Sequence, residues 1–287
     1  MKRCQQSENT DSSQHYSHLI YHHVSLALLM ATLKYNKLAG KSVLIFGGSS
    51  GIGFGIAEAC LEAGASVTIS SSQQSKLDAA VQKLKEGYPG TNIQGFACDL
   101  VTVAVEQAIE SIFDKVGTVN HVIYTATDGL SLTLLQDLKP EQVPQATQMR
   151  LTVPLLLAKV AARRLDASPE SSMTLTSGTA ARATSPGWAL SSTFAAGLVG
   201  MTRALAYEMA PVRVNCVMAG FVDTPLWARM PAERKLAMVQ RLERNMPVGR
   251  AGRVEDVVEA YVWLMKDRNA TGTVALSDSG MSVVPTW

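Results

Sequence analysis

From Lys41 onward, short runs of β-branched and apolar residues alternate with longer stretches in which apolar positions recur every three or four residues. The short runs VLIFG at 43–47, SVTIS at 66–70, NIQGF at 92–96, NHVIY at 120–124, SMTLT at 172–176, VRVNCV at 212–217 and TVALS at 273–277 read as strands. The longer periods predict helices near 53–63, 75–86, 102–115, 143–165, 188–209 and 254–266. Apolar strands separated by helices imply a parallel sheet covered on both faces. The expected fold is therefore α/β, a Rossmann-like doubly wound parallel sheet of about seven strands with helices on both faces, in a single domain over 34–287. The stretch 221–253 carries no strand pattern, and with Pro225, Pro231 and Pro247 it is expected to be a mobile cover over a ligand site.

Residues 1–33 break the pattern and are expected to be a disordered N-terminal extension. The apolar run Val24–Met30 is far shorter than the roughly 20 residues needed to cross a bilayer, so no membrane association is expected. Glu8 and Asp11 stand where a secretory leader would be basic. His15, His18, His22 and His23 share a helical spacing, but no carboxylate or cysteine joins them, so a solvated leader is the preferred reading and no metal site is expected.

Composition narrows the function classes. A chain of 287 residues, 47% hydrophobic and 17% charged, can bury a full core. Its net charge of +2, with no Lys/Arg run and no aromatic–basic interleaving, argues against nucleic acid and leaves a small molecule as the expected ligand. Cys4, Cys60, Cys98 and Cys216 are scattered without any CxxC, as suits reduced thiols in the cytoplasm.

Chemistry enters at the first strand–helix turn. Gly47, Gly51 and Gly53, with Ser49, Ser50 and Ile52 between them, let the backbone turn tightly and offer N–H groups and a helix dipole to a pyrophosphate. The second strand ends in Ser70, Ser71 and Ser72, with no carboxylate to bind a ribose diol and repel a 2′-phosphate. That favours NADP(H) over NAD(H).

GGSSGIG at 47–53, CDL at 98–100, RVN at 213–215 and AGFVDTPLW at 219–227 stand in the order and spacing of the short-chain dehydrogenase/reductase family, which the chain resembles over 37–284. The resemblance implies that Asp99 and Leu100 flank the adenine and that Thr125 and Ala126 line the cofactor. It also implies that Gly220, Val222, Thr224 and Leu226 border the nicotinamide and phosphates, and that the protein assembles as a homodimer or homotetramer through the helices at 143–165 and 188–209. Departures accompany it: Phe46 replaces a threonine, Tyr124–Thr127 replaces Asn-Asn-Ala-Gly, and Ala219 replaces a proline.

The largest departure falls on the acid–base pair. None of the seven tyrosines is followed four residues later by lysine. Alignment of AGLVGMTRALA at 196–206 places the family's tyrosine at Ser191 and its lysine at Ala195, its serine near Ser177 or Gly178, and its helix asparagine at Arg150. Two readings follow. One is a reductase acting on a substrate that needs no proton from tyrosine, such as an iminium ion. The other is a degenerate protein that serves as a cofactor-independent cyclase, an isomerase or a binding protein. KYNKLAGKSVLIFGGSSGIGF at 34–54, Arg150, TLTSG at 174–178 and PGW at 186–188 are similar to a fungal branch that includes the NADPH-dependent reductase/Diels–Alderases of paraherquamide- and malbrancheamide-type indole alkaloids. There an arginine, an aspartate and a tryptophan replace the usual catalytic set. Arg150 and Trp188 match, whereas the aspartate falls at Ser185.

Each candidate has a plainer alternative. Trp188 stacks on substrate or anchors a helix start. Arg150, within an apolar helix, calls for a ligand or a carboxylate partner. Asp128, just past the fourth strand with Tyr124, is a substitute acid or counter-ion, or else a turn former.

Overall fold

The computed structural model describes residues 34–130, 132–228 and 230–284; the N-terminal extension with its histidines lies outside them. One sheet holds the strands in the order β3-β2-β1-β4-β5-β6-β7. They are β1 (Ser42–Phe46), β2 (Ser66–Ser71), β3 (Ile93–Ala97), β4 (His121–Tyr124), β5 (Ser172–Gly178), β6 (Arg213–Ala219) and β7 (Val274–Ser277), all paired in parallel. Each predicted strand is present within two residues of its expected ends. Strand order reverses between β1 and β4, which opens a crevice at their carboxyl ends, the position where ligands bind in such sheets.

Alternation along the strands divides the core into two. Val43 and Ile45 face α1 (Gly51–Glu62), α2 (Gln74–Gly87) and α8 (Val254–Lys266). Leu44 and Phe46 face α3 (Val105–Val116), α5 (Val153–Arg164) and α6 (Ala189–Glu208). A third cluster, built on Phe221, Trp227, Leu242, Met246 and Met281, lies apart from both faces.

Two helical regions differ from expectation. The helix expected over 143–165 comprises α4 (Gln142–Thr147), a π turn at Gln148–Thr152 and then α5. In the π turn Val153 N–H bonds to the carbonyl of Gln148, one residue further back than in an α-helix. The stretch 221–253 contains a 3-10 turn at Pro225–Trp227 and a full helix, α7 (Ala232–Asn245). Pro231 is the N-cap of α7 and Pro247 lies just past its end, so these prolines punctuate the helix and do not break it. Leu242 is the buried residue of α7, and Lys235 pairs at 2.5 Å with Asp223.

The amino-terminal edge of the sheet is tied by buried polar groups. Arg213, 3% exposed, donates to the carbonyls of Pro169, Leu264, Met265 and Ala270 at 2.6–3.2 Å. Its neighbour His121 meets the Ser172 hydroxyl at 2.8 Å.

Candidate functional site

At the carboxyl edge, the turn from β1 into α1 forms a cradle that only glycine permits. Gly47 has φ +90°, and a Cβ there would lie 2.6 Å from the amide nitrogen of Ala126. A Cβ on Gly53 would lie 2.3 Å from the carbonyl oxygen of Gly47 and 2.6 Å from Oγ1 of Thr125. Thr125 fastens this contact, donating its hydroxyl to Phe46 O at 3.0 Å and its N–H to the same oxygen at 2.9 Å. Phe54 N–H is the first in α1 to reach back, to Ser50 O at 3.3 Å, and Ser50 makes no side-chain cap. The N–H groups of Gly51, Ile52 and Gly53 therefore remain available to an anion. Thr224, from the turn after β6, has its Cβ 3.2 Å from where a Cβ on Gly51 would stand, so both loops converge on the helix start.

Beyond β2 the serines separate in role. Ser71 accepts a hydrogen bond from Ser49 at 2.9 Å, and Ser72 is exposed, so Ser49, Ser71 and Ser72 form a hydroxyl-lined edge beside the cradle. Ser70 does not belong to that edge. It is 1% exposed with its hydroxyl sealed inside the sheet, because helices cover both faces of β2 up to this residue, and its carbonyl instead accepts the N–H groups of Gly47 and Gly48 at 2.9 and 3.2 Å. Asp99, in the loop after β3, accepts from Val101 N–H at 2.9 Å, while Leu100 is buried in the core.

The loop leaving β4 meets the π turn. Arg150 donates through Nη2 to Thr127 Oγ1 at 3.0 Å and to the carbonyl of Gly129, and stands 3.8 Å from Asp128. Asp128 is thus the carboxylate partner that Arg150 required, though its side chain is 39% exposed and the closer contacts are to its neighbours. Burial draws the Arg150 pKa below its usual value, opposed by Asp128, and Arg150 Nε has no acceptor. Tyr124, read from sequence only as an edge residue, is 3% exposed and donates its hydroxyl to Met149 O at 2.6 Å.

On α6, Ser191 and Ala195 are 4% and 8% exposed. Ser177 donates to Ala195 O at 2.9 Å, which ties its hydroxyl to helix backbone. Ser185 is exposed on the segment before α6, in a groove of about 360 Å³ that Leu134, Leu135 and Pro186 also line, and makes no contact with Arg150 or Asp128. Trp188 packs with the third cluster, its ring centroid 6.5 Å from that of Trp227, which itself lies 4.8 Å from Phe221 with the two rings tilted by 44°. Leu130 and Leu226 join the same wall. The sequence identified Trp188 but not this partnership with Trp227 and Phe221, since no local signal links residues so distant along the chain.

Other chemistries find no support here. Among the described residues no group of three His, Cys, Asp or Glu side chains could hold a metal. Cys60, Cys98 and Cys216 are buried, and burial pushes their thiols up to about 12, 11 and 12, so none is a ready nucleophile. No helix among the described residues is long and apolar enough to cross a membrane.

This geometry agrees with known proteins. The description "SDR-like Rossmann domain" matches residues 34–284. The chain is 41% identical to the short-chain dehydrogenase/reductase fsr5 of Gibberella fujikuroi, over 88% of this chain and 98% of that protein. It superposes on the MalC reductase/Diels–Alderase of Malbranchea aurantiaca with a TM-score of 0.82 and 36% identity, over 87% of this chain and 99% of MalC. A small-chain dehydrogenase solved in complex with NADPH matches at 26% identity and a TM-score of 0.69, over 85% of this chain and 99% of that one. The residues of the cradle, the strand order and these relatives together establish that the chain is an oxidoreductase of the short-chain dehydrogenase/reductase family.

Proposed function

We propose that this protein is an NADP(H)-dependent reductase of a C=N (iminium) or C=O bond in a secondary metabolite, working without a tyrosine proton donor. The observation that supports the reading is the glycine turn with free N–H groups at the start of α1, kept in a chain where alignment puts Ser191 and Ala195 at the positions of the family's tyrosine and lysine. Gly51, Ile52 and Gly53 would hold the pyrophosphate, and Ser49, Ser71 and Ser72 the 2′-phosphate. When bound, a reduced nicotinamide supplies a hydride. An iminium carbon accepts it without a proton, so the lost pair costs that reaction nothing; a ketone would leave an alkoxide for water to protonate. Asp128 offers a carboxylate to a cationic substrate, and Trp188 with Leu130 and Leu226 offers an apolar wall.

The reading draws support from MalC, whose name couples reduction to a Diels–Alder closure, and we extend that coupling to this site. We further place the protein in the cytoplasm as a homodimer or homotetramer through α5 and α6, where Leu155 and Tyr207 are 48% and 87% exposed.

Titration with NADPH, followed by its oxidation in the presence of a cyclic iminium, tests the proposal. Micromolar binding and turnover, reduced by Arg150→Ala, are expected. No NADPH binding would leave the cofactor-independent cyclase or binding protein as the better account.

A further inference from the structure

We propose that Tyr124 is a positioning residue whose buried hydroxyl holds the π turn that aims Arg150 at the loop leaving β4. Only the last consequence, an effect on cofactor affinity, rests on the function proposed above.

The argument begins with a missing donor. In an α-helix the carbonyl of Met149 would accept the N–H of Val153. Here that N–H goes to Gln148 O. In this wider register the next donor, the one due to Met149, belongs to residue 154, which is a proline and has no N–H. Met149 is 7% exposed, so water cannot readily replace it, and an orphaned buried carbonyl is costly. The Tyr124 hydroxyl takes that place at 2.6 Å.

Tyr124 is suited to act as a fixed anchor. It ends β4, in register with Phe46 on one side and Leu175 on the other, so the sheet sets its position independently of the helix. Burial keeps its phenol well above the usual range and therefore protonated and donating. Arg150 follows the anchored carbonyl directly, and its guanidinium crosses to Thr127, Asp128 and Gly129. A one-residue change of register would swing that side chain by about 100° around the helix axis, away from the loop. The hydroxyl and the guanidinium thus pin both ends of one short segment, the end of β4 and the turn after it, to the same helical turn. π turns of this kind are frequent at functional sites.

A double-mutant cycle measured by amide hydrogen exchange in the cofactor-free protein tests the linkage. Tyr124→Phe is expected to speed exchange at 127–130 about fivefold or more, and Arg150→Met to do at least as much. The double variant is expected to match Arg150→Met alone, because the hydroxyl acts through the guanidinium. NADPH affinity should follow the same pattern, with a loss of about threefold or more for Tyr124→Phe. Unchanged exchange in Tyr124→Phe, or effects that multiply in the double variant, would overturn the proposal. If Tyr124→Phe does not fold, Pro154→Ala decides: it supplies the missing donor while the hydroxyl stays, and loop protection is expected to persist. Loss of protection there would show that the proline alone sets the turn. A protein that binds no NADPH but passes the exchange cycle would refute the proposed function and leave this inference standing.

Discussion

Gly53→Ala separates the cofactor cradle from the fold that carries it. Residue 53 lies in the first turn of α1, where alanine is intrinsically favoured over glycine by about 1 kcal/mol. Against that, the new Cβ would stand 2.3 Å from Gly47 O and 2.6 Å from Thr125 Oγ1, so strand and helix must part by roughly 1 Å to reach ordinary contact. Overpacking of this kind costs about 1–3 kcal/mol, which leaves a net loss of about 0–2 kcal/mol and lowers Tm by no more than about 8 °C. The protein should fold. Binding suffers more, because the parting displaces the N–H groups of Gly51, Ile52 and Gly53. Hydrogen bonds to a charged phosphate are worth about 1.5–3 kcal/mol each, so losing one weakens NADPH about tenfold to a hundredfold. Fluorescence titration with NADPH beside a thermal melt reads both quantities. Gly87→Ala, at the end of α2 where a Cβ meets nothing within 4 Å, serves as the control: NADPH binding should be unchanged, and Tm unchanged or raised by a few degrees through alanine's helix preference. If Gly53→Ala bound NADPH within a factor of two of the parent, the cradle would not be the pyrophosphate site.

Two further outcomes follow from the same geometry. Ser71→Asp puts a carboxylate beside Ser49 at the end of β2, and it should weaken NADPH relative to NADH by about tenfold or more in parallel titrations; an unchanged ratio would remove this edge from 2′-phosphate recognition. His121 is held down to about 3 by burial, with the Arg213 and Lys41 charges adding to it, against 6.5 when unfolded. The folded state therefore binds fewer protons below pH 6.5, so the contribution of His121 is whole above that pH and falls by about 1.4 kcal/mol per unit towards pH 3. Denaturant midpoints at pH 7.5 and 5.5 should show this slope, and His121→Asn should flatten it; equal slopes in the two proteins would contradict the assignment.

The strands were legible because each is a short β-branched run that satisfies two buried faces at once, as Val43–Phe46 does. The cradle was legible for a similar reason, since local sequence specifies a local turn. What escaped reading depends on partners far along the chain. α7 gives little sequence signal because it is largely polar, with Leu242 its buried residue, and because its bordering prolines resemble those of a loop. The π turn was hidden because Pro154 shows only that a donor is lacking, while the hydroxyl that compensates arrives from Tyr124 on another strand. Ser70, Ser71 and Ser72 look alike in sequence, yet helices bury both faces of β2 as far as Ser70 and leave only the residues beyond it open. The sequence calls for a partner to Arg150 without saying which residue supplies it; folding brings Asp128 to 3.8 Å.

The guanidinium of Arg213 and the four carbonyls it gathers lie at the end of the sheet opposite the ligand cleft. Cohesion and chemistry are therefore vested at opposite ends of the same strands. Such a division means that substitutions at the carboxyl end, Ser191 and Ala195 included, need not loosen the knot that joins β6 to α8 and to the segment before β5. A change of side chains at the cleft can therefore alter binding while the opposite end keeps the fold.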